Sequence, residues 1–569
     1  MSALEWDASY DLVVVGSGGG SMCAALASKA LGKQALIIEK QDKVGGSTGY
    51  SGGVWWVPNN HVMKRHGVAD SYERACQYMD AAVEYQGPGS SPQRREAFLR
   101  NGPAMIEFLE QQGMKFVYAD GWSDYYDTLP GGEPRGRSLL AELFNIKELG
   151  EWAPKLSRYK GISMPVHSSE YSALFLMKRT WAGKKKALEL GTRLIYQKIS
   201  GKELVSNGAA IQGRMLQMAL RAQVPLWTDT PVTEFVVENG RVTGVVALRE
   251  GREVRIKARD GVLINAGGFS HNAAMRQAYQ PQPSSVNWTN ANPGDTGEII
   301  QAAVALGAAL DCMDEAWWVV TSMGPDQSWP EGAIAPDGTP LPFIHHLDLS
   351  LPYSMMVDQD GRRFCDEAGA YMEIGQRMYQ RQAETGRAVP AWVVMDSRQR
   401  KHYPWGPALP GKIPQQWLDS GYLVKADSIN ELATKTGIDL AGLQDTVTRF
   451  NDFCRTGIDL DYGRGSRQFD RCHGDPTIKP NPNLGPIEQA PFYAVRMYPG
   501  DVGTAGGVVT DEFARVLKAD GSAIPGLYAT GNSTAGVTGR CYPGAGASIA
   551  ASFVFAFIAA RYSAGVATI

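Results

Sequence analysis

The stretch YDLVVVGSGGGSMCAALASKALGKQALIIEK (residues 10–40) constrains this chain more tightly than any other. The apolar run Leu12 to Val15 has the character of a buried parallel strand, and a glycine turn follows it directly. Gly16, Gly18 and Ser21 occupy the three positions of the G-x-G-x-x-G pattern, with Gly19 and Gly20 between them. The first glycine permits a tight turn. The second lets a pyrophosphate approach the N-terminus of the helix that starts there, where free N–H groups point outward. Ser21 departs from the usual glycine or alanine but is still small. Glu39, followed by Lys40, ends a second strand about 20 residues on, where a carboxylate can accept ribose hydroxyls. Strand, turn, helix and acidic residue together predict a dinucleotide site.

The next segment, KVGGSTGYSGG (residues 43–53), carries a second glycine and hydroxyl loop in Gly45, Gly46, Ser47, Ser51, Gly52 and Gly53. A nicotinamide domain would continue into another strand and helix here, whereas flavoproteins run such a loop along the pyrophosphate and the flavin ring. Farther on, PVTEFVVENGRVTGVVAL (231–248) reads as a hairpin turning at Asn239–Gly240. GVLINAGGFS (261–270) reads as a buried strand running into Gly267 and Gly268, and GLYATGNSTAGVTG (526–539) as another strand entering a glycine loop.

This ordered set resembles the fumarate reductase/succinate dehydrogenase flavoprotein superfamily over nearly the whole chain. The resemblance implies an α/β, Rossmann-like FAD-binding domain that is discontinuous, with an α+β substrate/catalytic domain inserted into it. The expected division is 1–285 for the first part, with an insertion around 135–205, then 286–495 for the catalytic domain and 496–569 for the returning part. The chain holds one complete dinucleotide fingerprint, so FAD is expected without a second nicotinamide site. The implied FAD contacts are Gly16, Gly18, Gly19, Gly20, Ser21, Glu39, Lys40, Gly45, Gly46, Ser47, Ser51, Gly52, Gly53, Val232, Ala266, Gly267, Gly531, Asn532, Ser548 and Ile549.

Composition removes several function classes. A net charge of -3 over 569 residues provides no basic field for nucleic acid. The seven cysteines are scattered without a C-x-x-C pair, against a disulfide framework or zinc site, and no metal is expected. No secretory signal is legible at the start, and the longest apolar run, IAASFVFAFIAA, falls short of the roughly 20 residues a spanning helix needs. It reads as a buried core helix in a cytoplasmic protein.

The chemistry is carried by the tail loop GRCYPGAGAS (539–548). A dicarboxylate reductase needs an Arg there; this chain has Tyr542, with Arg540 two residues early. A phenol and a backbone N–H make a poor clamp for a carboxylate but suitable donors for a ketone oxygen. Together with GDTGE (294–298) and LPYSMMVDQDGRRFCDEAGAYME (351–373), the YPGAG of this loop looks like that of the 3-ketosteroid Δ1-dehydrogenases. The resemblance implies that Tyr542 and the Gly546 N–H bind the C3 carbonyl and that Tyr371 takes the C2 proton. Hydride would pass from C1 to the flavin, while a further tyrosine in GWSDYYD, Tyr125 or its neighbour Tyr126, hydrogen-bonds Tyr371. A free phenol has a pKa near 10, so Tyr371 needs surroundings that favour its phenolate; a hydrogen bond donated by Tyr125 would do so. Tyr353 competes for the role of Tyr371.

His345 and His346 lack partners at ligand spacing and read as structural or pocket-lining. Cys472–His473 lies in what reads as a polar, proline-rich loop without an assigned role. Between Glu170 and Lys202, eight Lys or Arg stand against two Glu, with apolar residues interspersed. This pattern fits either an interfacial membrane helix or a solvated helix packed by its apolar face. Partners on this reading are a 3-ketosteroid, with long-side-chain members such as cholest-4-en-3-one among the candidates, and an external electron acceptor such as a quinone. The competing functions are reduction of a polar enoate (fumarate or urocanate type), desaturation at C4–C5, and a non-enzymatic FAD-binding module.

Overall fold

The computed structural model describes residues 5–158, 160–161, 164–325, 333–334 and 341–566. The opening strand Ala8–Val15 is fully buried from Leu12 onward and lies at the centre of an eight-stranded sheet. It pairs in parallel with Ala35–Ile38 on one side and with Arg252–Ile264 on the other. The long strand Arg252–Ile264 changes partners along its length. Its first half pairs antiparallel with Arg241–Arg249, and its end pairs in parallel with Ala523–Ala529 from far down the chain. Val232–Glu238 and Arg241–Arg249 form the expected hairpin, with Asn239 and Gly240 both at positive φ (52° and 78°), as a two-residue turn of that kind requires.

The first helix, Gly19–Ala30, crosses the last, Ala547–Ser563, so closely that a Cβ on Gly19 would overlap the Phe553 ring and one on Gly20 would overlap Ser552. Apolar on every side, the last helix is buried for nearly its whole length. Among the described residues no helix is long and apolar enough to cross a membrane.

A second, antiparallel sheet is built from Ala316–Ser322, Phe343–His345, Ser354–Val357, Ala391–Met395, Val424–Ala426 and Phe492–Thr504. Its extent corrects both inner boundaries of the expected division. The helix Glu298–Ala305 buries Ile299, Ile300 and Ala303 in the core of the first sheet, so the chain leaves that core nearer Ala316 than residue 286. The expected boundary after residue 495 falls inside Phe492–Thr504, which ladders with Ala316–Ser322 as far as Thr504. Helix Tyr371–Thr385 packs on this sheet; a Cβ on Gly375 would overlap Trp318.

Between the two glycine loops of the first sheet and its edge strand Leu226–Trp227 lies a long excursion. It contains a three-stranded sheet (Val54–Trp56, Phe116–Tyr118, Ser138–Ala141) and the helices Tyr72–Ala82, Pro92–Gln112 and Trp181–Ser200. Only Gly183 is fully buried on Trp181–Ser200. Its inner side meets the protein, while Trp181 (83% exposed), Leu188 (70%), Ile195 (61%) and Ile199 (83%) form an outward stripe. Of the two expected arrangements, the stripe departs from a helix packed by its apolar face.

Candidate active site

One cavity of about 450 Å³ runs from the first glycine turn to the tail loop. Its cofactor end is made of close backbone. Gly16 has φ 97°, and a Cβ there would overlap Asn265 O. Gly18 caps the first helix, whose leading N–H groups have no partner within the helix. Glu39 accepts from Ser17 N (3.0 Å) and Ser17 Oγ (2.6 Å), and burial raises its carboxyl pKa above the usual value. Asp295, from GDTGE, is buried at the wall, accepts from Ser47 Oγ (2.9 Å) and is pushed up to about 7, chiefly by burial.

Most of the expected cofactor residues line this wall: Gly16, Gly18, Glu39, Lys40, Gly46, Ser47, Ser51, Gly52, Gly53, Val232, Ala266, Gly267, Gly531, Asn532, Ser548 and Ile549. Gly19, Gly20, Ser21 and Gly45 do not. Gly19 and Gly20 are small so that the last helix can approach, and Ser21 is fully buried beneath Asn265, whose Nδ2 donates to Ser21 Oγ at 2.9 Å. Gly45 instead donates to Ser17 Oγ at 3.0 Å. Ser17, Asn265, Asn292 and Asp295 are wall residues that the glycine patterns did not reveal.

At the other end three phenols meet. Ring centroids are 5.6 Å apart for Tyr125 and Tyr371, 5.2 Å for Tyr371 and Tyr542, and 5.7 Å for Tyr125 and Tyr542. Tyr371 is the first residue of its helix, and Tyr542 lies in the loop that leads into the last helix. Both competing tyrosines lie elsewhere. Tyr126 sits under the Arg467 guanidinium (5.3 Å to its ring), and Tyr353 stacks on Tyr403. Tyr542 OH lies 3.0 Å from Ser548 Oγ. Gly546, at φ 89°, begins the last helix, and a Cβ there would overlap Val54 O. Its N–H is among the groups a helix leaves free at its start.

Burial pushes the Tyr371 phenol well above its ordinary value, and the neighbouring phenols Tyr125 and Tyr542 push it further. Burial likewise raises Tyr125, although its hydrogen bond with Tyr371 pulls the other way. The sense is therefore opposite to the expected one: the bond favours charge on Tyr125 rather than on Tyr371.

Among the described residues no unpaired cation lines this end. Arg540 turns away to pair with Asp314 (2.8 Å) and Glu315 (2.9 Å). Among the described residues, the cations lining the cavity are Lys40, paired with Glu298, and Arg158, paired with Glu203 at 2.7 Å. His346 lines the cavity edge-on to Tyr371 (5.7 Å), and burial lowers it to about 4, so it is neutral. His345 is structural, bonded to Asp348 and Ser322. The Cys472–His473 segment is no polar loop. Gln468–Cys472 is a short helix whose Phe469 packs on Tyr125 at 4.2 Å, and His473 is buried against Ser172.

Residues 11–549 match the FAD binding domain family. The 3-oxosteroid 1-dehydrogenase of Mycobacterium tuberculosis is 40% identical to this chain, with 98% of both chains covered. The chain belongs to the 3-oxosteroid 1-dehydrogenase family. A second member, from Mycolicibacterium smegmatis, is also 40% identical, covering 97% of this chain and 96% of its own. The crystal structure of 3-ketosteroid delta1-dehydrogenase from Sterolibacterium denitrificans, in complex with 1,4-androstadiene-3,17-dione, superposes with a TM-score of 0.90 at 35% identity. It covers 98% of this chain and 99% of that one. As in the rest of the family, the cofactor is FAD and the protein is an oxidoreductase. The glycine cradle at Gly16, the open helix start at Gly18 and the buried carboxylate Glu39 suit its pyrophosphate and ribose.

Proposed function

We propose that the protein desaturates the C1–C2 bond of a 3-ketosteroid. The observation that carries this reading is the grouping of Tyr125, Tyr371, Tyr542 and Gly546 around a cavity end that, among the described residues, has no unpaired cation. Such a site suits a neutral ketone and disfavours a dicarboxylate, whose buried charges would lack partners. Tyr542 OH and the Gly546 N–H, both at the cavity wall, would hold the C3 oxygen as it gains negative charge, so that a proton at C2 becomes removable. Tyr371, as its phenolate, takes that proton and becomes a neutral phenol, which can donate to Tyr125 beside it. Bound FAD supplies the acceptor for the hydride that leaves C1. Loss of one proton and one hydride leaves a C1=C2 double bond, and an external acceptor such as a quinone takes up the two electrons.

Anaerobic bleaching of the flavin separates the alternatives. Androst-4-ene-3,17-dione and cholest-4-en-3-one should bleach it with formation of the 1,4-diene, and fumarate should not. Bleaching by fumarate alone, or a product desaturated only at C4–C5, would overturn the reading. The ratio of rates for the two steroids measures side-chain preference.

The helix Trp181–Ser200 supports a peripheral membrane contact for the same enzyme. Its outward stripe of Trp181, Leu188, Ile195 and Ile199 is flanked by the exposed Lys184, Lys185 and Lys198. Apolar side chains with lysines alongside match an anionic bilayer surface, in which a steroid substrate dissolves. Holoenzyme should float with vesicles containing phosphatidylserine, and the Ile195→Ser, Ile199→Ser variant should not. Wild-type protein that stays at the bottom of the gradient would end this part of the proposal.

A further inference from the structure

The three phenols belong to separate parts of the chain, and the loops that carry Tyr125 and Tyr542 are also joined behind the cavity. Tyr542 and Gly546 bracket a stretch without regular secondary structure. Its two outer carbonyls are each taken by a buried hydroxyl from outside the cavity. Tyr78 OH, on helix Tyr72–Ala82, donates to Pro543 O at 2.6 Å, and Ser138 Oγ, on the three-stranded sheet, donates to Ala545 O at 3.1 Å.

The same Tyr78 oxygen accepts from Tyr126 N (3.2 Å), and Tyr125 N donates to Pro543 O (3.0 Å). One phenol therefore bonds both the loop that carries Tyr125 and the loop that carries Tyr542. Tyr78 is itself held. It is fully buried, Trp56 packs against its ring, and the Arg137 guanidinium lies 5.3 Å from the ring centroid. Arg137 in turn is anchored by Asp70 and Asp124. Burial pushes the Tyr78 phenol well above its ordinary value, so it stays a neutral donor over the working range.

We propose that Tyr78 is a positioning residue for the desaturation: its hydroxyl sets the separation of the Tyr125 and Tyr542 loops, with Ser138 as second anchor beside Gly546. The inference rests on the function proposed above. A shift near 1 Å in such a constellation costs on the order of 10²-fold in rate. Binding of a large apolar substrate depends little on it.

The test uses the holoenzyme. Tyr78→Phe keeps the ring and should keep its flavin, while kcat falls about 10- to 100-fold and KM stays within about threefold. The pH profile of kcat/KM should move, because Tyr371 loses its register with its neighbouring phenols. Ser138→Ala, a smaller change that spares folding if Tyr78→Phe does not, should lower kcat in the same sense. Wild-type kcat and an unmoved pH profile in the folded variants would overturn the proposal.

A second readout needs no turnover. 3-Fluorotyrosine placed at position 371 gives a fluorine resonance that reports contact with Tyr125 and Tyr542, and Tyr78→Phe should shift it. An unshifted resonance overturns the positioning role whatever the substrate. Wild-type flavin that no 3-ketosteroid bleaches overturns the functional reading instead.

Discussion

Tyr542→Phe isolates one hydroxyl. Its ring packs on Trp317 (5.2 Å), Tyr371 (5.2 Å) and Tyr125 (5.7 Å), and phenylalanine preserves all three contacts. The hydrogen bonds lost with the protein are those to Ser548 Oγ at 3.0 Å and to the Tyr371 phenol, each worth about 1 kcal/mol of stability. The glycine cradle at the cofactor end is untouched, so bound flavin should match wild type. In turnover the loss is larger. On the proposed assignment one of two donors to the developing oxyanion disappears, and such a donor supplies about 3 to 4 kcal/mol, or roughly 10²- to 10³-fold in kcat. Stopped-flow bleaching of the flavin by androst-4-ene-3,17-dione measures the step directly. A rate within about threefold of wild type would mean that the C3 oxygen lies elsewhere, and the assignment of the whole tail loop would fall with it.

Other consequences can be checked alongside. Because burial raises the Tyr371 phenol, its deprotonated fraction grows with pH, so kcat/KM should climb from neutral into alkaline solution. Tyr371→Phe should lose about 10²- to 10⁴-fold and abolish that climb. Gly546→Ala should fail to accumulate as flavin-loaded protein, since φ 89° and the overlap with Val54 O both exclude a Cβ; normal flavin content would contradict the close approach. Glu170 is partly buried, which works against its charge. Its ion pairs with Arg193 and Lys186 nevertheless hold its pKa at about 2. Its folded pKa lies below the unfolded value, so its contribution is complete above about pH 4.5 and is lost as pH falls toward 2. Hydrogen exchange in Trp181–Ser200 should accelerate across that window before the central sheet loosens.

The sequence exposes backbone requirements better than it exposes who neutralises whom. The Gly16 turn, the Asn239–Gly240 hairpin and the all-apolar last helix follow from local rules and stand in the fold as expected. Gly19 and Gly20 show the limit of that reasoning: a ligand and a crossing helix both ask for a missing side chain, and here the crossing helix asks for it too. The pairing of Arg540 with Asp314 and Glu315 joins residues 226 and 225 positions apart, which no spacing rule reaches. The same holds for Phe469, whose segment looked polar because only one face of its short helix meets Tyr125. The choice of Tyr125 over Tyr126 was a matter of which face of a loop turns inward, and that is set by the bond from Tyr125 N to Pro543 O.

The meeting of the first strand's sheet with Ala523–Ala529, and of the first helix with the last, bears on how the protein is made. The glycine turn at Gly16 emerges from the ribosome long before the opposite wall of its cavity, Gly531 to Ile549. Until that later segment is released, the sheet lacks Ala523–Ala529 beside Arg252–Ile264 and the first helix shows its glycine face to water. Cofactor capture is thus deferred until the second wall has been made. A nascent chain stalled before Ala523 should hold no flavin, however much of it has already folded.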